Sequence, residues 1–231
     1  MRRFWKTAQA VPGDGAWGIE LDGKPLRTPA RAPLVVPTEA LARAIAEEWA
    51  GAPEQFEPRS MPLTGLANAA VDRVAPDPAA FGNGLAEYGE CDLTCYRAEG
   101  PRALVSAQEQ AWDPLLEWAR RRFDVDFRTT CGIVHVAQPS TTTAHLAHAV
   151  AALKPFQLAG LSPLVTIGGS LVAALAVLEG AVTVAEAWEA VSVDDRWQLQ
   201  QWGSDSEAEE RLANRRLDFF AAASFLQLLE S

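Results

Sequence analysis

Apolar and polar residues alternate near the start of the chain, which is the pattern of a half-buried β-strand. Residues 17–21 alternate and are followed by Asp22-Gly23, a dipeptide that favours a tight hairpin turn. Residues 25–29 form a short return strand between two prolines, and residues 34–36 form a further β-branched run. The pattern therefore predicts several short strands in the first part of the chain.

The spacing of apolar residues lengthens after this region to the period of an amphipathic helix. Thr38 is a good N-cap, and apolar residues follow it at intervals of four. A second helix is predicted over residues 61–74, and Pro76 and Pro78 end it. Because most of the later chain has a helical pattern, we predict a domain boundary near residue 75.

Helical patterns dominate the remainder of the chain and are joined by short loops. They are predicted over residues 81–88, 101–123, 141–153, 157–178, 183–202 and 206–229. A short extended piece is predicted at residues 91–96, and β character at residues 127–138. We therefore expect an α+β fold, in which residues 1–75 form a small N-terminal β-rich domain with helices and residues 76–231 form a mainly α-helical domain.

One apolar stretch is long enough to be mistaken for a membrane span. Residues 155–178 carry no charged side chain, and a span needs about 20 apolar residues. Gly160, Pro163 and the pair Gly168-Gly169 interrupt the stretch, and its uninterrupted part, residues 171–178, is too short to cross a bilayer. We predict a buried central helix and no membrane insertion.

Composition and net charge exclude several classes of protein. The chain has 231 residues, of which 48% are hydrophobic, with a net charge of −10 and a pI near 4.8. Disordered chains contain fewer apolar residues, and nucleic-acid binding relies on Lys and Arg to neutralise phosphates. We therefore predict a folded protein that binds no nucleic acid, with an acidic surface that suits solubility or a partner that has a basic face.

The cysteines and the N-terminal residues indicate a compartment. Cys91, Cys95 and Cys131 cannot form a complete disulfide framework, which favours a reducing environment. The C-x3-C spacing of the first two lacks a second ligand pair, so we predict no metal site and buried, unreactive thiols. No apolar signal segment follows Arg2-Arg3. These features predict a bacterial cytoplasmic protein, or a protein of the mitochondrial matrix whose targeting segment has been removed.

The familiar motifs of enzyme and cofactor chemistry are missing from the sequence. It contains no G-x-S-x-G, no P-loop and no G-x-G-x-x-G after a strand, so we expect no cofactor. Gly168-Gly169-Ser170 could cradle an anion at a helix start or could serve close helix packing. Three acid pairs could work as acid and base, or could simply place negative charge at helix N-termini. The pairs are Glu90 with Asp92, Asp194 with Asp195, and Asp205 with Glu207.

The most informative segment is residues 201–211, which we call the acidic corner. Gly203 after Trp202 suits the end of one helix, and Ser206 with Glu209 fits the capping box that begins the next. Its acids, Asp205 and Glu207 among them, are therefore expected beside the positive end of a helix dipole. The arrangement is typical of a recognition surface, of a catalytic site, or simply of a well-capped helix.

Several stretches, in order, cover most of the chain and resemble one known family. They are residues 3–6 (RFWK), 21–29 (LDGKPLRTP), 34–38 (LVVPT), 48–49 (EW), 61–68 (MPLTGLAN), 92–98 (DLTCYRA), 110–115 (QAWDPL) and 201–208 (QWGSDSEA). This ordered set resembles the assembly chaperone of F-type ATP synthase that attends the alpha subunit of the catalytic head, a family of mitochondria and alphaproteobacteria. Residues 140–160 match it only loosely.

The resemblance implies a non-enzymatic function. The expected partner is the free alpha subunit, whose beta-facing surface the chaperone covers until the beta subunit replaces it. No cofactor, metal or small-molecule substrate is expected, and no nucleotide hydrolysis is needed because one partner is exchanged for another. A largely polar contact with a few anchors would suit such reversible binding.

The resemblance also implies which residues bind the partner. Glu207 corresponds to the family's functional glutamate in the motif Trp-Gly-x-Asp-x-Glu, and Asp205 and Trp202 share that motif. The alternative for Glu207 is a capping carboxylate at the first turn of the last helix. Arg97 and Arg27 are secondary candidates, because guanidinium groups hold loops or partners in fixed geometry.

For these two arginines the alternative is an internal salt bridge, to an acid such as Asp92 for Arg97 or Asp22 for Arg27.

The rival hypothesis for the whole protein is a small-molecule hydrolase that uses a carboxylate pair near Trp202. A deep polar cleft that holds the acids would favour the hydrolase, whereas a shallow apolar groove rimmed by acids would favour the chaperone.

Overall fold

The computed structural model describes residues 2–202 and 206–230, with Trp202 described in its backbone only. Contacts divide the chain into two compact units. The first unit comprises Met1–Pro78, Lys154–Gly160 and Ser224–Ser231, and the second comprises Ala79–Leu153 and Leu161–Ala223. Two short segments from late in the chain thus belong with the N-terminal residues.

Short strands and many helices make up the described residues, which confirms the α+β class. The strands are β1 (Ala8–Pro12), β2 (Trp17–Leu21), β3 (Lys24–Pro25), β4 (Val35–Val36), β5 (Tyr96–Arg97) and β6 (Thr130–Cys131). The helices are α1 (Glu39–Gly51), α2 (Pro62–Ala69), α3 (Pro78–Ala86), α4 (Arg102–Phe123), α5 (Ser140–Ala151), α6 (Pro155–Gly168), α7 (Leu171–Leu178), α8 (Val184–Val191), α9 (Val193–Trp202) and α10 (Ser206–Gln227).

The first unit contains an antiparallel sheet in which β2 pairs with β1, β3 and β4. Asp22 and Gly23 have φ angles of 50° and 74°, so the predicted hairpin turn is confirmed. The Asp22 carboxylate accepts hydrogen bonds from the backbone N–H groups of Lys6 and Thr7, at 3.0 and 2.8 Å. These bonds lower the pKa of Asp22 and fasten the residues before β1 to the turn.

Helix α1 covers this sheet, and Thr38 caps it as predicted by accepting a hydrogen bond from Leu41 N–H at 3.2 Å. The indole of Trp49 on α1 packs 4.7 Å from that of Trp5 in the core of the unit. The preceding residue, Glu48, accepts hydrogen bonds from the first backbone N–H groups of α2, at 2.8 and 2.9 Å. A side chain on one helix therefore caps the next helix.

Gly160 allows α6 to approach the end of α10 within the first unit. A Cβ at this position would lie 2.6 Å from Cδ2 of Leu226 and 3.0 Å from Cδ1 of Phe225, both of which are buried.

We expect Gly160→Ala to lower the free energy of unfolding by about 1–3 kcal/mol, because the packed core has to shift. Urea denaturation measures the loss. The matched control is Gly65→Ala in α2, where the added methyl group meets no atom within 4 Å.

Two predicted helices are each broken once. The predicted helix over residues 157–178 is two helices, α6 and α7, separated at Gly169, which has a φ of 67°. The predicted helix over residues 183–202 is also two, because Ser192 lies between α8 and α9 with a non-helical backbone.

The β character predicted over residues 127–138 is confined to β6, which pairs in parallel with β5. The rest of that segment is irregular.

The apolar stretch that the sequence analysis placed inside the protein is buried. The first six residues of α7, Leu171 to Ala176, are at most 2% exposed. Among the described residues, none of the helices combines the length and the hydropathy that a bilayer crossing requires.

The thiols differ from the prediction. Cys95 is buried, and its burial raises its pKa to about 12, but Cys91 and Cys131 are exposed because both lie in irregular or edge segments. The three are free thiols. Within residues 2–202 and 206–230, His, Cys, Asp and Glu side chains form no group of three that could hold a metal ion.

Candidate functional site

The acidic corner connects α9 to α10. Residues 203–205 lie outside the described residues, so the candidate Asp205 and the side chain of Trp202 have no described geometry. Glu207 lies in the first turn of α10 with 79% of its side chain exposed, and its carboxylate is 3.6 Å from the guanidinium of Arg211 one turn later. Glu207 therefore presents a carboxylate to solvent at the positive end of a helix.

Arg215 anchors the helix that carries Glu207. Its guanidinium lies 2.8 Å from the carboxylate of Asp195 on α9 and donates a hydrogen bond to the carbonyl of Ile167 at 3.0 Å. One turn further along α10, Phe219 is buried with its ring 5.5 Å from that of Trp188. These contacts fix the direction of α10 two turns from Glu207, so the exposed carboxylate stands on a supported helix.

Arg97 is held inside the second unit and is only 8% exposed. Its guanidinium lies 2.5 Å from the Asp113 carboxylate, donates to the Gln108 carbonyl at 3.0 Å, and sits 5.0 Å from the centre of the Trp112 ring. The internal salt bridge that we expected exists, but its acid is Asp113 on α4 and not Asp92. Arg97 thereby ties β5 to α4.

Asp92 is fully buried at the start of α7. Its carboxylate accepts hydrogen bonds from Thr94 N–H at 3.0 Å, Thr94 Oγ1–H at 2.7 Å and Val172 N–H at 2.9 Å. Desolvation raises its pKa, although these hydrogen bonds and one with Ser170 oppose the shift. The Gly-Gly-Ser helix start does receive an acidic group, and that group is a side chain of the same chain.

Arg27 lies exposed in the first unit, between the sheet and the turn that follows it. Its guanidinium donates a hydrogen bond to the carbonyl of Arg31 at 2.8 Å. The carboxylate of Asp22, which we had considered as its salt-bridge partner, instead accepts the hydrogen bonds from Lys6 and Thr7. Arg27 therefore fixes its own turn, and Asp22 fixes the hairpin.

An open groove runs along the second unit between α4, α8 and α9, with a volume of about 740 Å³. Its walls are mainly apolar, and Glu186 and Glu189 of α8 are among its lining residues. The lining residues from α4 are Ala107, Gln110, Ala111, Pro114 and Leu115, and those from α9 are Val193, Arg196, Trp197 and Gln200. This surface was not predicted from the sequence. Its available signal was the helical spacing of Ala107, Ala111 and Pro114.

Comparison with known proteins decides the family. The model of the ATP12 chaperone protein family matches residues 2–120. The crystal structure of Atp12 from Paracoccus denitrificans has a TM-score of 0.92, at 42% identity over 99% of this chain and 98% of that chain. The chain belongs to the ATP12 chaperone family. ATP12 proteins are assembly chaperones of the F-type ATP synthase, so the expected family is confirmed.

Two further relatives of this ATP12 chain extend the similarity. A protein of known structure from Agrobacterium tumefaciens has a TM-score of 0.94, at 39% identity over 99% of this chain and 86% of that chain. The mitochondrial protein atp12 of Schizosaccharomyces pombe is 26% identical over 90% of this chain and 76% of its own length. The similarity thus includes the C-terminal helices that lie beyond residue 120.

Several of the stretches that carried the ATP12 resemblance have structural roles. Glu48 caps α2, Asp92 holds the start of α7, and Arg97 joins β5 to α4 through Asp113. Each of these side chains makes hydrogen bonds to a backbone or charged group of a different element. A residue without the same hydrogen-bonding group would leave that partner unsatisfied. Glu207 differs from them, because most of its side chain is in solvent.

Proposed function

We propose that this ATP12 chain binds the free alpha subunit of the F-type ATP synthase catalytic head, and shields its beta-facing surface until the beta subunit replaces it. The observation that carries the proposal is the similarity to Paracoccus denitrificans Atp12 along 99% of the chain. Chaperones of this family serve ATP synthase assembly, and an unpaired alpha subunit would expose the apolar surface that later becomes its interface. Exposed patches of that kind promote aggregation.

The proposed mechanism is binding and exchange, without a chemical step. Glu207, together with Trp202 and Asp205 of the same sequence motif, makes a charge-assisted contact with a basic or backbone donor of the alpha subunit. Such polar contacts are strong enough for recognition and are reversible when a larger interface competes for the same surface. Arg97 and Arg27 contribute indirectly, because each holds a segment of the chaperone in place.

The surroundings of Glu207 support binding more than hydrolysis. Its carboxylate is mostly exposed and pairs with Arg211, whereas the hydrolase hypothesis requires a deep polar cleft that holds the acids. The groove in the second unit is open and mainly apolar and has two acids among its lining residues, which is close to the arrangement that we associated with a chaperone. The proposed place of action is where alpha subunits await assembly, in the bacterial cytoplasm or the mitochondrial matrix.

Co-purification tests this proposal directly. The tagged chain is mixed with purified alpha subunit alone, with beta subunit alone, and with alpha followed by increasing amounts of beta. We expect the chain to retain alpha, to retain no beta, and to lose alpha as beta is added. Failure to retain alpha, or retention that beta does not reduce, would overturn the proposal. Turnover of a metabolite that disappears in a Glu207→Gln variant would replace it with the hydrolase hypothesis.

A further inference from the structure

The groove of the second unit is built from three helices that each present one continuous face. Its α4 residues, Ala107, Gln110, Ala111, Pro114 and Leu115, recur at the i, i+3, i+4, i+7 and i+8 positions of a helix. Its α9 residues, from Val193 to Gln200, recur at i, i+3, i+4 and i+7. Two helical walls of this kind form a groove that suits a helical segment of a partner.

The lining chemistry suits the apolar face of a helix. Ala107, Ala111 and Ala185 supply part of the accessible surface, so the backbone of a partner could approach closely. Trp197 stands half-buried on the α9 wall, and a tryptophan at such a position is a frequent anchor of protein interfaces. Peptide-binding grooves with apolar walls commonly receive amphipathic helices.

The charges around the groove are mostly negative. Gln110 and Pro114 also border an adjoining depression, which contains Glu109, Asp113, Glu117 and Arg121 along the exposed side of α4. The two sets of lining residues together contain five carboxylates and two guanidinium groups, and Arg97 beneath them pairs with Asp113, so the carboxylates exceed the guanidinium groups by two. The guanidinium of Arg196 is already engaged by Glu189 at 2.5 Å. A partner segment with basic residues along one side would complement the negative charge around the groove.

We infer that this groove receives one amphipathic helix of the client subunit, with its apolar residues against α4 and α9 and its Lys or Arg residues along the acidic side of α4. The inference rests on the proposed binding of the alpha subunit and specifies which chemistry of that subunit is recognised. It adds a second contact surface to the acidic corner. The groove supplies apolar anchoring, and the acids along α4 orient the helix.

A bulky substitution in the groove tests the inference. Ala111→Trp fills the groove from the α4 wall, and Ala144→Trp places the same side chain on the exposed face of α5 as a matched control. We expect Ala111→Trp to weaken binding of purified alpha subunit by about tenfold or more, since a blocked anchor site costs at least about 1.4 kcal/mol. Ala144→Trp should bind as the native chain does, and equal circular dichroism and thermal midpoints verify both folds.

Crosslinking identifies the occupant and separates the two proposals. A benzophenone amino acid at Gln110 and another at Gln200 place photoreactive groups on opposite walls of the groove. Both should capture the same alpha-subunit peptide, a helix with basic residues, and the binding should weaken as salt rises. Equal binding by Ala111→Trp and the native chain, or capture of a second copy of this chain, would overturn the inference and leave the proposed function intact. Absence of alpha binding by the native chain would defeat the proposed function itself.

Discussion

Glu207→Lys is expected to leave this protein folded and to abolish ATP synthase assembly in a strain that depends on it. The side chain is 79% exposed, and its partner Arg211 is 3.6 Å away on the same helix. The substitution places two cations at i and i+4 and a positive charge at a helix N-terminus, which together cost about 0.5–1.5 kcal/mol. A protein of this size tolerates that loss, whereas reversal of a charge that contacts the partner removes the contact and adds repulsion.

The measurement is the amount of assembled ATP synthase on native gels at equal chaperone level. Glu209→Lys is the matched control, because Glu209 is also exposed in the first turn of α10 but lies two residues on, towards the other side of the helix. If Glu207 only stabilised the start of α10, both variants would lose thermal stability and assembly together. Normal assembly with Glu207→Lys at a normal protein level would remove this residue from the functional site.

Asp92→Ala is expected to produce the largest loss of stability among the substitutions considered. The buried carboxylate accepts hydrogen bonds from Thr94 N–H and Val172 N–H, and alanine would leave both donors without an acceptor. Each buried, unsatisfied N–H costs about 1–3 kcal/mol, so we expect a loss of about 3 kcal/mol in the free energy of unfolding. Denaturant unfolding measures it. Asp218→Ala, which removes an exposed acid, should change stability by less than about 0.5 kcal/mol.

The raised pKa of Asp92 determines the direction in which its contribution to stability changes with pH. Burial raises the pKa of Asp92 in the folded protein above its ordinary value of 3.8. The folded state therefore binds more protons than the unfolded state between these two pKa values, and the contribution of Asp92 to stability falls as pH rises through that window. Asn at position 92 does not titrate, so Asp92→Asn is the reference. The free energy of unfolding of the native chain, relative to that of this variant, should fall on going from pH 3 to neutral pH. A constant difference in the free energy of unfolding across this range would contradict the raised pKa.

Local sequence signals predicted the parts of the fold that depend on neighbouring residues. A helix was predicted to begin at residue 183, and Thr183 and Glu186 form a capping box there, with the Glu186 backbone N–H bonded to Thr183 and the Glu186 carboxylate accepting from Thr183 N–H at 2.7 Å. The hairpin at Asp22-Gly23 was predicted for the same reason. In each case the interacting groups lie within four residues, so the residue types alone contain the information.

The errors occurred where distant segments decide the backbone. The break between α6 and α7 places Gly169 so that its carbonyl accepts a hydrogen bond from Leu93 N–H at 2.9 Å, and Asp92 binds the new helix start. Gly168-Gly169-Ser170 was recognised as a possible helix start, but nothing in the run of residues 155–178 identifies Asp92 and Leu93 as its contacts, so one continuous helix was predicted. The segment at residues 127–138 has β-branched residues, but only Thr130 and Cys131 find a strand to pair with.

The sequence by itself determined the α+β class, most helix positions, the family resemblance and the presence of acids at the start of α10. These follow from periodicity, capping and ordered motifs, all of which act over short distances along the chain. Only the tertiary structure decided that Asp92 is buried at a helix start, that Arg97 pairs with Asp113, and that α4, α8 and α9 enclose a groove. Desolvation, ion pairing and the shape of a surface depend on which remote elements pack together, and a single sequence does not state those neighbours.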